Sequence, residues 1–285
     1  MKGVIITNGY ANTEGIAYQV KRLIEEFSAL GVEVENVKTD TLIAYISGGK
    51  VECNITADFI IYLDKDVHIA SMLEKAGYRL FNTREAIEVC DDKIKTHIAL
   101  SGCGVNMPDT ISSPLMYREV EDEFYLSVER LGYPMVVKEA HGSLGGGVWL
   151  VKNRQELIAL RQKLKMKPHL YQKFIESSKG KDYRVIVVGG KVVAYYMRES
   201  TSDFRSNIEL GGTGKKVDLP IAYVNVAEKV SKILGLDYCG VDLLIGREPI
   251  VCEVNSNAFF TGAEKVTGVN VARRYAEYIL EQIKN

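Results

Sequence analysis

Apolar positions recur along this chain with two different periods, and the alternation between them sketches a fold. "GVIITN" near the N-terminus is a short apolar run of the kind a buried strand makes. From Glu14 to Leu30 apolar residues return at every third or fourth position, as on one face of a helix. "VEVENV" and "DFIIYLD" predict further strands, a short helix follows near His68 to Ala76, and "YRLFN" predicts another strand. Strands alternating with helices predict a small parallel sheet with helices packed on it. Asn82 with Glu85 three residues later reads as a capping box that opens a helix running to about Leu100. A boundary falls at that helix, dividing an α/β lobe, 1–88, from the remainder, 89–285. Tyr117 to Leu131 predicts a helix, "YPMVVKEA" and "GVWLVK" two strands, and Asn153 with Glu156 a capping box for a helix ending near Pro168. From Leu170 the pattern is strand-rich until a final helix, Val271 to Ile283, so the second part divides again into 89–170 and 171–285. The fold class is α/β, with α+β character in its second part.

The loop between "YPMVVKEA" and "GVWLVK" is unusual, because glycine fills positions 142, 145, 146 and 147. A phosphate loop of the Walker type needs GxxxxGK followed by Ser or Thr and leads into a helix; here a strand follows and the Lys-Ser/Thr ending is missing. A glycine-rich turn inside a hairpin instead suits a flap whose backbone N–H groups approach nucleotide phosphates closely. Lys138, on the strand leading in, supplies a cation to the same place. The same residues also fit a bare hairpin tip with a solvated lysine, so a partner site is needed to decide.

"VDLLIGREPIVCEVN" supplies that partner. Two apolar runs flank "GREP", a hairpin signal. Pairing Ile245 with Ile250 sets Asp242 directly opposite Glu253. Strand alternation then places Asp242, Leu244, Val251, Glu253 and Asn255 on one face, and Val241, Leu243, Ile245, Ile250, Cys252 and Val254 on an apolar core face. Like charges opposed across strands are destabilising unless something lies between them. Two carboxylates and an amide are an oxygen-only set that suits Mg2+ better than Zn2+; the alternative is a pair of solvated acids at a strand end. Flap and acid pair together point to Mg-ATP.

"DYRVIVVGGKVVAYYMRE" is a second hairpin with Gly189-Gly190 as its turn. Pairing Val188 with Lys191 puts Asp182 and Arg184 on one face, far from the turn. In the polar stretch that follows, "DFRSNIELGGTGKK", Arg205 and Asn207 offer a clamp for phosphate or carboxylate, or are incidental charge on a surface loop.

Composition narrows the class of protein. The chain has 285 residues, 46% hydrophobic and 26% charged, and a formal net charge of −1, which gives no overall pull towards nucleic acid or an anionic membrane. The basic run "RQKLKMK" fits a solvated helix face. Five cysteines, an odd number with no CxxC spacing, predict reduced thiols in a cytoplasmic protein, with Cys252 packed in the core. Four histidines show no metal-ligand spacing. No signal-peptide pattern and no run of about 18 apolar residues occurs.

In this order the motifs resemble the ATP-grasp superfamily, and within it the RimK-type alpha-L-glutamate (amino-acid) ligases. The resemblance covers about 200 residues from Asn82 onward and is carried by "DDK", "VVKEAHGSLGGGV", "DYRVIVVGG", "DFRSN…GG" and "GVDLL…CEVN". It implies a Rossmann-like pre-ATP-grasp lobe followed by a two-lobed ATP-grasp domain with ATP between the lobes. By the same resemblance Lys93 and Lys138 contact ATP phosphates under a flap that includes Gly142, Ser143, Gly145, Gly146 and Gly147. Gln172, Lys173, Phe174 and Ile175 form the hinge that reads adenine, and Asp182 meets the ribose side. Arg205, Ser206 and Asn207 sit near the γ-phosphate, and Asp242, Glu253 and Asn255 hold Mg2+, with Mn2+ as a substitute. Two departures stand out: Lys173 replaces a hinge glutamate, and "SNAFFTGAE" follows "EVN", so that Asn257, Phe259 and Phe260 bear on the acceptor pocket.

The implied reaction is an ATP-dependent carboxylate–amine ligation through an acyl phosphate, adding an amino acid such as glutamate to a small-molecule or peptide carboxylate. Lys138 and Arg205 neutralise charge, and Arg184 holds a substrate carboxylate or the acyl phosphate. A small-molecule kinase and a non-catalytic ATP-binding regulatory module are the alternatives. The implied partners are a carboxylate and an amine, with no nucleic acid and no membrane; a homo-oligomer is compatible.

Overall fold

The computed structural model describes residues 1–11, 13–117, 124–142, 145–208 and 211–284. From the N-terminus the chain forms β1 (Lys2–Thr7), α1 (Glu14–Ala29), β2 (Glu33–Lys38), the hairpin β3 (Ala44–Ser47) and β4 (Lys50–Cys53), β5 (Phe59–Tyr62), α2 (Val67–Lys75) and β6 (Leu80–Phe81). Strands β2, β1, β5 and β6 lie side by side, all parallel, as the alternating pattern predicts. Next come α3 (Arg84–Cys90), α4 (Lys93–Leu100), β7 (Thr110–Ser112), α5 (Phe124–Glu129), β8 (Met135–Glu139), β9 (Val148–Val151), α6 (Arg154–Leu164) and β10 (His169–Lys173). Here the sheet order is β7-β10-β8-β9, antiparallel throughout. The last part contains β11 (Lys181–Val188), β12 (Lys191–Glu199), β13 (Thr213–Lys215), α7 (Ile221–Ile233), β14 (Tyr238–Leu244), β15 (Ile250–Asn255), α8 (Phe260–Thr267) and α9 (Val271–Lys284). Its five antiparallel strands run in the order β13-β12-β11-β14-β15. This is a mixed α/β architecture, and among the described residues no helix is long and apolar enough to cross a membrane.

Both faces of the five-stranded sheet are used. One face packs Val185, Val187, Cys239, Val241, Leu243 and Val251 against α7. The other is divided: near the Gly189-Gly190 turn, Ile186, Val188 and Tyr196 join Phe260 and Tyr275 and, beyond them, Phe59 and Phe81 of the parallel sheet in one core. At the far end of that face the apolar residues give way to charge, and the site lies there.

Several local expectations are corrected. The helix after Asn82 is capped by Thr83, whose hydroxyl accepts from the backbone of Ala86, and it stops at Cys90. Asp92 then caps a separate helix through the backbone N–H groups of Ile94 and Lys95, which sets Lys93 at its first position. Short acidic side chains compete for backbone donors in this way, so "DD" breaks the helix that periodicity alone would continue. Asn82, relieved of capping, bridges distant backbone segments. Its amide nitrogen donates to the carbonyl oxygens of Tyr238 (2.8 Å) and Ser256 (2.9 Å), and its oxygen accepts from the N–H groups of Asp237 and Tyr238.

Asn153 caps α6 as expected, although the helix ends at Leu164, about one turn before Pro168. Only Phe124–Glu129 of the helix expected from Tyr117 to Leu131 is seen among the described residues, since 118–123 lie outside them. Two helices, α7 and α8, occupy a stretch that reads as strand. Their β-branched residues (in α7) and internal glycine (Gly262 in α8) weaken a helical reading. Gly262 is fixed by packing, since an added Cβ would come within 2.6 Å of the Tyr196 hydroxyl.

Candidate active site

A cleft opens between the β8–β9 hairpin, β10 and the charged end of the five-stranded sheet. Its floor is built by strand register. Arg198 of β12 faces Asp182 of β11, Arg184 of β11 faces Asp242 of β14, and Asp242 faces Glu253 of β15. Arg198 grips Asp182 with two bonds (2.8 and 2.5 Å) and reaches Asp242 at 2.8 Å. Arg184 holds both oxygens of Asp242, one at 2.9 Å. Burial alone would push the Asp242 carboxyl up, but Arg184 and Arg198 outweigh it and hold it below the ordinary carboxylate range. Opposite charges facing each other across β12, β11 and β14 turn an otherwise costly set of buried charges into a paired ladder, and the like-charged Asp242 and Glu253 face each other at its β14–β15 end.

Two β-bulges set which side chains belong to this floor. An unbroken register from the Gly189-Gly190 turn would put Met197 against Asp182; a shift between Ile186 and Val187 puts Arg198 there. A second shift, between Asp242 and Leu243, pairs Leu244 with Ile250 in place of the expected Ile245–Ile250 pair, while Asp242 still meets Glu253. Val251 therefore turns into the core at 1% exposure, and Cys252, expected in the core, lines the cleft. Bulges next to sites re-aim side chains in this manner.

Two lysines stand over the floor. Lys93, placed by the Asp92 cap, donates to the carbonyl oxygen of Gly142 at 3.0 Å and lies 3.4 Å from Glu253. Lys138 of β8 is buried, and its ammonium lies 3.4 Å from the Cys252 thiol. Among the described residues no carboxylate comes within ion-pairing distance of Lys138. A buried cation matched only by a weakly polar thiol is a site that favours an anionic ligand.

Gly142, Gly145 and Gly146 line the cleft, as the flap reading expects. Ser143 falls outside the described residues. Gly147 does not line the cleft; it has φ +70 and sits on the stem of Glu139, 3.1 Å from where a Cβ would be. Arg205 spans to this loop, donating to the carbonyl of Gly145 at 2.7 Å while Asp203 grips its other edge at 3.0 and 2.7 Å. Ser206 and Asn207 line the same wall, and Gly212 supports them from behind, where a Cβ would strike the Ser206 carbonyl.

The hinge residues Gln172, Lys173, Phe174 and Ile175 all line the cleft. Lys173 is exposed and pairs with Asp109 at 3.6 Å. Phe174 meets Phe204 edge to face at 6.3 Å, a contact between the end of β10 and the loop after β12 that sequence reading missed along with Arg198. Phe260 is fully buried in the core and cannot line a pocket, whereas Asn257 donates to the Leu63 carbonyl and its amide oxygen, buried, has no partner among the described residues.

For a divalent cation the donors are the oxygens of Asp242 and Glu253 and the amide of Asn255. Asn255 is not among the cleft-lining residues, and its buried amide nitrogen, a donor, has no partner among the described residues, so only its amide oxygen could serve a cation. Among the described residues no three His, Cys, Asp or Glu side chains could hold a metal by themselves. A hard cation held by few protein oxygens, with water and phosphate completing its shell, fits this set.

The chain matches a family model described as the RimK-like ATP-grasp domain over residues 90–279. It is 38% identical over 228 residues to N-acetylaspartylglutamate synthase A of Homo sapiens, covering 78% of this chain and 57% of that protein. It is 32% identical over 283 residues to the probable alpha-L-glutamate ligase of Halorhodospira halophila (strain DSM 244 / SL1), covering 92% of this chain and 91% of that one. The crystal structure of a RimK domain ATP-grasp protein from Sphaerobacter thermophilus DSM 20745 superimposes with a TM-score of 0.74 at 20% identity, over 98% of this chain and 99% of the other. The chain thus spans little more than half the length of the synthase it matches.

Proposed function

The chain belongs to the RimK-like ATP-grasp family, and from that premise we propose that it is an ATP-dependent carboxylate–amine ligase. The reading assigns the cleft to ATP, with the base against the hinge Gln172 to Ile175, the ribose beside Asp182, and the phosphates under the glycine flap between Lys93 and Lys138. The observation that carries it is the buried ammonium of Lys138, set between flap and floor with, among the described residues, only the Cys252 thiol as its hydrogen-bond partner. Asp242, Glu253 and Asn255 would hold Mg2+, or Mn2+ in its place. A cation there neutralises charge on the bound triphosphate.

In this reading an oxygen of the carboxylate substrate attacks the γ-phosphorus, the bond to ADP breaks, and an acyl phosphate forms. An amine then attacks the acyl carbon, inorganic phosphate leaves, and the amine loses a proton as the amide bond forms. No protein nucleophile takes part; Lys93, Lys138 and Arg205 act through position and charge. Arg184 is committed to Asp242 in this structure, so it serves the site by orienting that carboxylate in place of the substrate contact expected of it.

An amino acid such as glutamate is the amine that relatives named as glutamate ligases suggest, and the carboxylate partner lies near Asn257. The lobe division 1–88, 89–170 and 171–285 and a cytoplasmic setting complete the proposal, the latter in keeping with five free cysteines. The test is a magnesium-dependent ADP-release screen of amino acids against small and peptide carboxylates, with product mass read in parallel. ADP release that needs an amine and yields an amide supports the ligase. ADP release without an amine, with a stable phosphorylated product, would establish a kinase, and nucleotide binding with no turnover a regulatory module.

A further inference from the structure

The hairpin of β3 and β4 stands apart from the three larger sheets, with no other strand on either side of it among the described residues. Its base is held, since Leu42, Cys53 and Ile55 pack in one cluster with Ala70 and Leu73 of α2. Its outer part is not. Tyr45 is 44% exposed and Ile46 71% exposed, and Ser47, Lys50 and Glu52 also face solvent. A two-stranded ribbon is marginal by itself, and an apolar strand edge left open accepts another strand.

Register decides which backbone groups that edge offers. Tyr45 faces Glu52, Ile46 faces Val51 and Ser47 faces Lys50 across the ribbon. The N–H of Asn54 donates to the carbonyl of Ile43 at 3.1 Å. Bonded and non-bonded pairs alternate along an antiparallel ribbon, so Glu52 turns its backbone inward to Tyr45 while Val51 turns its N–H and C=O outward. Among the described residues nothing bonds to those two groups of Val51. The edge of β15 differs, because the Asn106 carbonyl covers it by accepting from the Val251 N–H at 2.8 Å.

We propose that the chain self-associates through β4, the β3–β4 hairpins of two copies joining into one four-stranded antiparallel sheet. With a two-fold axis at Val51, each Val51 N–H donates to the Val51 carbonyl of the other copy, which is the bonded pairing its outward groups require. That register sets Lys50 opposite Glu52 of the second copy, and Glu52 opposite the second copy's Lys50. Both ion pairs fall on one face, where the Tyr45 hydroxyl already holds the Glu52 carboxylate at 2.6 Å. On the other face Ile46 and Val51 of the two copies form one apolar row across the four strands. The same operation on β3, about Ala44 or Ile46, brings no opposite charges together. None of these residues lines the cleft, so the inference stands apart from the ligase reading.

The test is sedimentation equilibrium of the whole chain, without nucleotide, at concentrations up to about 0.1 mM. The unaltered chain should dimerise. Val51→Pro removes the outward N–H and no bond inside the hairpin, and should weaken the dimer by about tenfold or more while leaving the melting temperature near that of the unaltered chain. Lys50→Glu and Glu52→Lys each oppose two like charges across the axis and should weaken it by about three- to tenfold. Combining the two substitutions restores opposite charges and should return the affinity to within about threefold of the unaltered chain, a rescue that damage to the hairpin would not give. Should Val51→Pro melt early, the charge exchange decides alone. A chain that stays monomeric throughout, a dimer that persists in a folded Val51→Pro, or a double variant no tighter than its single parents overturns the inference.

Discussion

Arg205 donates to the backbone carbonyl of Gly145 at 2.7 Å, and this bond ties the loop after β12 to the glycine flap. Asp203 holds the opposite edge of the same guanidinium, so the planar fork is aimed before any ligand arrives. In the proposed reading, a γ-phosphate entering under the flap would meet a cation already at its rim. Arg205→Ala should lower turnover by about 10²-fold, as for other lost charge contacts in phosphoryl transfer. Arg205→Lys keeps the charge but cannot hold Asp203 and Gly145 together, and should fall between. ADP release measured under saturating nucleotide checks both, and wild-type turnover in the alanine variant would remove Arg205 from the mechanism.

Lys138 separates stability from binding. Its buried ammonium has no carboxylate partner among the described residues, only the Cys252 thiol, so in the ligand-free protein its burial carries a cost that a phosphate offsets. Lys138→Met removes the charge while keeping most of the volume. The ligand-free variant should melt at the wild-type temperature or above it, yet the upward shift that Mg-ATP gives the wild type should disappear. A variant that unfolds earlier but still responds to ATP would show that this lysine is structural.

What sequence shows and hides here follows from how local each determinant is. The glycine flap, the Gly189-Gly190 turn and the "GREP" hairpin are set by adjacent residues; the facing of Asp242 and Glu253 is the one alternation from an Ile245–Ile250 pair expects, but the bulge between Asp242 and Leu243 restores it after the strands pair one residue out of that register. Arg198 and Cys252 were hidden because each enters the cleft through a bulge, and a one-residue shift reverses which face a side chain takes. His97 was hidden for another reason: its neighbours Gln172 and Lys138 are distant in sequence, and no spacing rule brings a histidine to them.

Asn82 shows the same limit from the side of stability. Read locally it is a helix cap; in the structure it bridges the end of β6 to the backbone at β14 and just after β15, satisfying four backbone groups. Asn82→Ala leaves two donors and two acceptors without this partner, all but the Asp237 N–H in buried bonds, and should cost about 3 kcal/mol. Urea denaturation reads the loss directly. A change under about 0.5 kcal/mol, the level of an ordinary surface substitution, would mean that water replaces the amide.

Acid should weaken the fold partly through His97. Its folded-state pKa is depressed to about 4, whereas in the unfolded chain it returns to about 6.5. Between those values the unfolded state binds a proton that the folded state does not, so stability rises with pH across this window and is lost as pH falls from about 6.5 towards about 4. The shift sets a ceiling of about 3 kcal/mol on that loss. Asp242, held low by its arginines after burial is overcome, loses its contribution in the same direction at lower pH, but it does so whether or not His97 is present. Denaturation midpoints of wild type and His97→Leu at pH 6.5, 5.5 and 4.5 isolate the histidine: the variant should show the shallower decline. Parallel declines in the two proteins would place the acid sensitivity with the carboxylates alone.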